Sequence, residues 1–350
     1  MSPQKPMAHL VGSVPLPDTE TVFRTVAGQL GNRLKRIPDG ETGDRWRWIF
    51  WQREMLVNHP AMEDDTDTKT FKVVQWDGQI IRDLPFLRFK SGVDPSQVKF
   101  EAAYAGPAIE SFKTCQRLQQ EGIIGPDTLF QVSLPTPMAT AFMYISTSAR
   151  EAYLPVYEAA LAEALKEILD SIPHDRLSIQ WDVCQEVLVF EDYFLARPED
   201  YKEQIFSELA RMGQLVPETV DMGYHLCYGS PRDEHLVQPK DMGILVEISN
   251  GLIAGLNRRL GFLHLPVPKD RTDAAYFQPL EGLQCATGTE IYLGLIHFDD
   301  RSGDAQRIAT AKQFIPTFGV ATECGWGRTE PTRIESLLES HAAAVQSLGG

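Results

Sequence analysis

Met222-Gly223-Tyr224-His225-Leu226-Cys227 is a short β-rich run that ends in two metal-binding residue types. Side chains on a strand alternate with period two, so His225 and Cys227 point to one face. Similar runs, each closed by polar, Gly or Pro residues, recur at His9 to Val14, Leu34 to Ile37, Leu129 to Leu134 and Leu177 to Asp182, then at Ile244 to Ile248, Glu290 to His297 and Phe318 to Cys324. Helix-like stretches separate most of them. Thr19 to Leu30 follows Asp18, a good N-cap residue, and Ala149 to Ser171 is long, alanine-rich and amphipathic. Pro198 to Met212 and Ile334 to Leu348 read as helices too. Strands alternating with helices predict parallel βαβ units, and eight of them predict an α/β fold, a single (β/α)8 TIM barrel over residues 1–350. A doubly wound open sheet is the competing architecture, but no Gly-rich dinucleotide fingerprint follows a first strand.

Residues 46–104 interrupt this rhythm. Within them, Phe71 to Asp83 has the pattern of a hairpin around Asp77-Gly78, a good type I′ turn pair. The segment reads as an insertion after the second strand, covering one mouth of the barrel. Its Trp46, Trp48 and Trp51 are expected to pack the insertion rather than stack on a ligand.

The chain has 350 residues, 43% of them hydrophobic, enough for a large core. A formal charge of −15 argues against a general nucleic-acid binder or a binder of anionic membranes, since both need a basic surface. No apolar run is long enough to span a bilayer, and Met1 to Pro6 shows no signal-peptide core. The five cysteines are few, odd in number and widely spaced, which fits a reducing cytoplasmic location better than a disulfide framework.

Chemistry in such barrels gathers at the carboxyl ends of the strands. Those ends carry Gly12-Ser13, Asp39-Gly40-Glu41, Asp182, His225 and Cys227, then Glu247, His297-Phe298-Asp299-Asp300 and Glu323-Cys324. Imidazole nitrogen and thiolate sulfur are good zinc donors, and Cys324 would supply a second thiolate. Alone, a buried cysteine is ordinarily a small apolar residue and a buried histidine a hydrogen-bonded core residue. Glu247, within Ile244-Leu245-Val246-Glu247-Ile248, would be costly to bury without a partner, and a metal would be one. Strands five, six and eight together therefore point to a metal site. Asp182 and Glu41 could equally cap helices. His297 has Asp299 and Asp300 beside it, which would raise its pKa and suit it to proton transfer. Cys115, Cys184 and Cys285 are not assigned to the metal.

These residues resemble the catalytic C-terminal barrel of cobalamin-independent methionine synthase and its smaller stand-alone relatives. Val11-Gly12-Ser13-Val14-Pro15 is similar to that family's opening Ile-Gly-Ser-Phe-Pro, His225-Leu226-Cys227-Tyr228 to its His-Met-Cys-Tyr zinc motif, and Glu323-Cys324-Gly325 to its Asp-Cys-Gly. Glu247, twenty residues after Cys227, falls where the family's glutamate ligand is expected. The resemblance implies a zinc ion (Zn2+) held by His225, Cys227, Glu247 and Cys324. It further implies that Ser13, Glu41 and Asp182 bind the amino-acid part of a homocysteine-like thiol, and that His297 is the catalytic proton donor. The chain departs from the family at Asp182-Val183-Cys184, where the family reads Asp-Glu-Pro, and it lacks the tryptophan expected near the pterin around Pro137 to Tyr144. Glu186 or Glu191 could replace a further family acid. The large N-terminal half of the full synthase has no counterpart.

The implied activity is zinc-dependent methyl or alkyl transfer to a small thiol, with the thiol and an alkyl donor as small-molecule partners and neither nucleic acid nor membrane among them. Competing readings are a zinc-dependent lyase or hydrolase, a metal-free decarboxylase of the related tetrapyrrole-handling barrel, and a non-catalytic zinc- or thiol-binding protein. The last would need the ligands but not His297 or Asp182.

Overall fold

The computed structural model describes residues 7–194 and 196–349. Its strands are β1 (Arg36–Pro38), β2 (Met62–Asp64), β3 (Phe71–Val74), β4 (Ile80–Leu84), β5 (Leu87–Phe89), β6 (Leu129–Pro135), β7 (Leu177–Val183), β8 (Asp221–Leu226), β9 (Phe262–Pro266), β10 (Glu290–Ile296) and β11 (Gly319–Thr322). Seven of them form a curled parallel sheet in the order β1-β6-β7-β8-β9-β10-β11, with helices in the connections. Every residue of β7, β9 and β10 is buried, as expected of parallel strands covered on both faces. Among the described residues no helix is long and apolar enough to cross a membrane.

The first expected strand, His9 to Val14, is reduced to isolated bridges. Ala8 bridges Leu34 beside one edge of the sheet and Val320 of β11 at the other. His9 N–H donates to the Val320 carbonyl (2.9 Å), and Val14 N–H to the Gly40 carbonyl (2.9 Å). The helix Thr19–Leu30 has the predicted bounds, and the Asp18 carboxylate accepts from Thr21 N–H at 2.7 Å. β3 and β4 pair antiparallel across Asp77-Gly78, with Gly78 at φ +85.

One assignment from sequence is wrong. Ile244 to Ile248 is not a strand but part of the helix Gly243–Gly255, which buries Leu245, Val246, Ile248, Ser249 and Leu252. That spacing is one helical face, and it turns Glu247 outward. The strand at this place in the sheet is β9, whose sequence Phe262-Leu263-His264-Leu265-Pro266 pairs with β8 and β10.

Candidate metal centre and its cavity

β7 and β8 run in register, with Asp182 opposite His225 and Val183 opposite Leu226. Cys227 leaves the end of β8 while its N–H still donates to the Val183 carbonyl at 2.8 Å. Cys324 follows β11 at the far side of β10, where the β10–β11 register shifts between Leu293 and Ile296. Gly294 allows this close approach: a β-carbon there would stand 2.8 Å from the Cα of Glu323. Candidate donor atoms of His225, Cys227 and Cys324 consequently lie within 4.8 Å of one another. Their two sulfurs are 3.6 Å apart. Gly229 N–H donates to the Cys227 sulfur (3.3 Å), and Arg328 Nη2 to the Cys324 sulfur (3.4 Å). Arg328 is itself held by the Ser230 carbonyl at 2.8 Å.

His264, which sequence reading overlooked, fixes the tautomer of His225. Its Nε2 lies 3.0 Å from the Thr322 carbonyl, which can only accept, so Nε2 carries the proton. His264 Nδ1 is then the acceptor for His225 Nδ1–H at 2.6 Å. This relay leaves His225 Nε2 with a free lone pair, the form a metal ligand needs. Burial drives the His225 pKa down to about 4, outweighing the Cys324 contact that raises it, so the ring is neutral near pH 7.

The three donors share a cavity of about 360 Å³ with Ser13, Glu41, Trp48, Asp182 and Cys184. Ser13 Oγ donates to Glu41 Oε2. Asp182 accepts from Trp48 Nε1 (3.0 Å) and from Gln180 Nε2 (2.9 Å). Burial pushes the pKa of Glu41 up, and burial followed by the Glu41 charge pushes that of Asp182 well up. Each acid thus favours its protonated form more than a free carboxyl does. Trp46 and Trp48 line the cavity instead of only packing the surrounding segment, while Trp51 meets Tyr104 edge-on at 4.9 Å.

Two expected site residues stand elsewhere. Glu247 is exposed, its side chain retaining 44% of its accessible surface, and it pairs with Lys202 at 2.5 Å. It is therefore not a ligand in this structure. His297 is buried but does not line the cavity, and its Nε2 lies 3.0 Å from the Val267 carbonyl. Its pKa is lowered by burial first and by Arg307 second, the reverse of the effect expected from neighbouring aspartates. Asp300 does not supply that effect because its carboxylate pairs with Arg307 at 2.9 Å.

The donor chemistry fits zinc: one neutral imidazole and two thiols from separate strand ends are residue types that zinc binds. Neither a family model nor a curated protein matches the chain. Solved structures of similar fold do exist. The B12-independent methionine synthase from Shewanella sp. W3-18-1, determined in complex with selenomethionine, superposes with a TM-score of 0.60 over 98% of this chain and 97% of its own, at 15% identity. A putative vitamin-B12-independent methionine synthase from Listeria monocytogenes gives 0.59 over 100% and 99%, at 14% identity. A methyltransferase from Methanosarcina mazei gives 0.50 over 97% and 95%, at 13% identity. At these identities the likeness is one of fold: B12-independent methionine synthase-like.

Proposed function

We propose that this chain is a zinc-dependent methyl- or alkyltransferase acting on a small, homocysteine-like thiol. The supporting observation is the His225, Cys227 and Cys324 cluster at the wall of a cavity that Glu41 and Asp182 also line. Two of the fold neighbours are described as methionine synthases and one as a methyltransferase, in agreement with this reading. In the same reading the seven-stranded sheet and the Ala8 bridges make an eightfold barrel and one domain, with residues 46–104 inserted over its mouth.

His225 Nε2 and the sulfurs of Cys227 and Cys324 would hold the zinc, which when bound lowers the pKa of a substrate thiol so that a thiolate forms near neutral pH. Ser13, Glu41 and Asp182 orient the polar end of the thiol and supply proximity. Trp48 holds the Asp182 carboxyl in place through its indole N–H. The thiol sulfur forms a new bond to an alkyl carbon as the bond from that carbon to its leaving group breaks. The leaving group needs a proton, and the Asp182–Glu41 pair is the source facing the cavity. His297, expected from sequence to be the donor, is turned to Val267 and burial disfavours its charged form.

The test is metal analysis joined to mass spectrometry of thiols incubated with the protein and candidate methyl donors. About one zinc per chain and a thioether product are expected, both lost in Cys324→Ser. His297→Ala should retain turnover. A folded Cys324→Ser variant that keeps its full metal content would refute the ligand assignment.

A further inference from the structure

With Glu247 excluded, the zinc reading has three protein donors and no assigned fourth. We propose that Cys184 is the fourth, giving a three-cysteine, one-histidine set, and that it is the donor that yields its place to the substrate thiol. The proposal rests on the zinc reading above.

Placement is the first argument. Asp182 lies opposite His225 and Val183 opposite Leu226, so the next residue on each chain, Cys184 and Cys227, emerges at the same level from neighbouring strand ends. Cys184 lines the same cavity as the three clustered donors. Its sulfur reaches the turn after Cys227, 3.7 Å from where a β-carbon on Gly229 would sit.

Elimination is the second argument. Both oxygens of Asp182 already accept hydrogen bonds, from Trp48 and Gln180. His264 uses both ring nitrogens, one toward His225 and one toward Thr322. Glu323 turns to His235, with 3.2 Å between Oε2 and Nδ1, and does not line the cavity. Glu41 holds the Ser13 hydroxyl. Cys184 is the further cysteine that lines the cavity, and its thiol has no nitrogen or oxygen partner among the described residues. It stands outside the group whose donor atoms lie within 4.8 Å of one another, so it must swing inward to bind. That looser hold marks it as the exchangeable donor. Were Cys184 to give way to a substrate thiol, its sulfur would be the acceptor at hand for the proton of the incoming S–H.

X-ray absorption on the zinc-loaded full chain counts the sulfur neighbours directly. Three sulfurs and one nitrogen are expected for the wild type, and two sulfurs with two nitrogen or oxygen neighbours for Cys184→Ser. Chelator competition should show zinc held at least about 10- to 100-fold more weakly in that variant, the loss typical of even an outer-shell partner. Cys115→Ser, altered at a buried cysteine on the helix Ala105–Gln120, should leave both readouts unchanged. Two sulfurs in the wild type, or three retained in Cys184→Ser, would overturn the proposal while leaving the zinc reading intact. A wild-type chain that binds no zinc would overturn both.

Discussion

Replacing Arg36 by Met removes a guanidinium that ties three strands together at the amino-terminal end of the sheet. The Arg36 side chain is 1% exposed, with Nε 2.5 Å from Asp221 and Nη1 2.8 Å from Glu290, and both carboxylates are 9% exposed. Its carbon lies 4.0 Å from the centroid of the Phe262 ring. Removing one partner from a buried ion cluster costs about 3–5 kcal/mol, because the remaining charges stay desolvated. Lys35, 2.5 Å from Glu290 and 3.8 Å from Asp221, offsets part of this and favours the lower end of that range. The electrostatic share has a pH signature. Burial would raise the Asp221 pKa, but Arg36 overcomes it and the value falls from 3.8 to about 2. A depressed carboxylate stabilises the fold above its unfolded pKa, and that contribution is lost as pH falls through the folded value. The 1.8-unit depression (3.8 minus 2) is worth roughly 2.4 kcal/mol at pH 7 and about 1 kcal/mol less at pH 3. Urea unfolding of wild type and Arg36→Met at both pH values should therefore give a stability gap about 1 kcal/mol narrower at pH 3. A gap of the same size at both would show that lost packing, not charge, accounts for the effect; a gap below about 1 kcal/mol at pH 7 would remove the cluster from the account of stability altogether.

Glu247→Gln should leave zinc content unchanged, since the side chain faces solvent and Lys202, and loss of metal in this variant would restore the sequence-based ligand assignment. His264→Leu frees the His225 ring to take either tautomer, so zinc affinity should fall about 10- to 100-fold in chelator competition without loss of the fold. An unchanged affinity there would show that the His264 relay does not orient the ligand.

Most of the sheet was legible because its strands are buried on both faces and read as compact apolar runs between turn residues. β6, β7, β8, β10 and β11 lie where the sequence placed them, within a few residues. The sixth strand was misplaced for a definite physical reason. Ile244-Leu245-Val246-Glu247-Ile248 is too short an apolar run to separate strand from helix by periodicity, and only its extension through Leu252 shows the helical face. The error passed to the metal site, because a glutamate on a strand end faces a cavity whereas the same residue on an amphipathic helix faces water. His225, Cys227 and Cys324 come together within 4.8 Å because their own strands lie where the sequence placed them. Cys184 carried a usable signal, two residues beyond Asp182 and therefore in phase with it along the strand. Arg328 and His264 carried none, since their contacts with Cys324 and His225 depend on how the sheet curls.

The two ends of the sheet handle buried polarity in opposite ways. At the amino-terminal end, Arg36, Asp221 and Glu290 each open a strand, and Arg36 with Lys35 matches the two carboxylates. Among these residues Arg36 Nη2 alone is buried without a hydrogen-bond partner. At the carboxyl end, Glu41 and Asp182, with raised pKa values, line the same cavity as Cys184, Cys227 and Cys324. Acids and thiols gathered out of water cost free energy, offset in part by the charges of Arg45 and Arg328 near Glu41 and by the reach of Arg328 to Cys324. A cation among the sulfurs and a cationic or hydrogen-bonding substrate group at the acids would each relieve that cost. The same asymmetry explains why an Arg36 variant should change stability and spare the site, while a Cys324 variant should do the reverse.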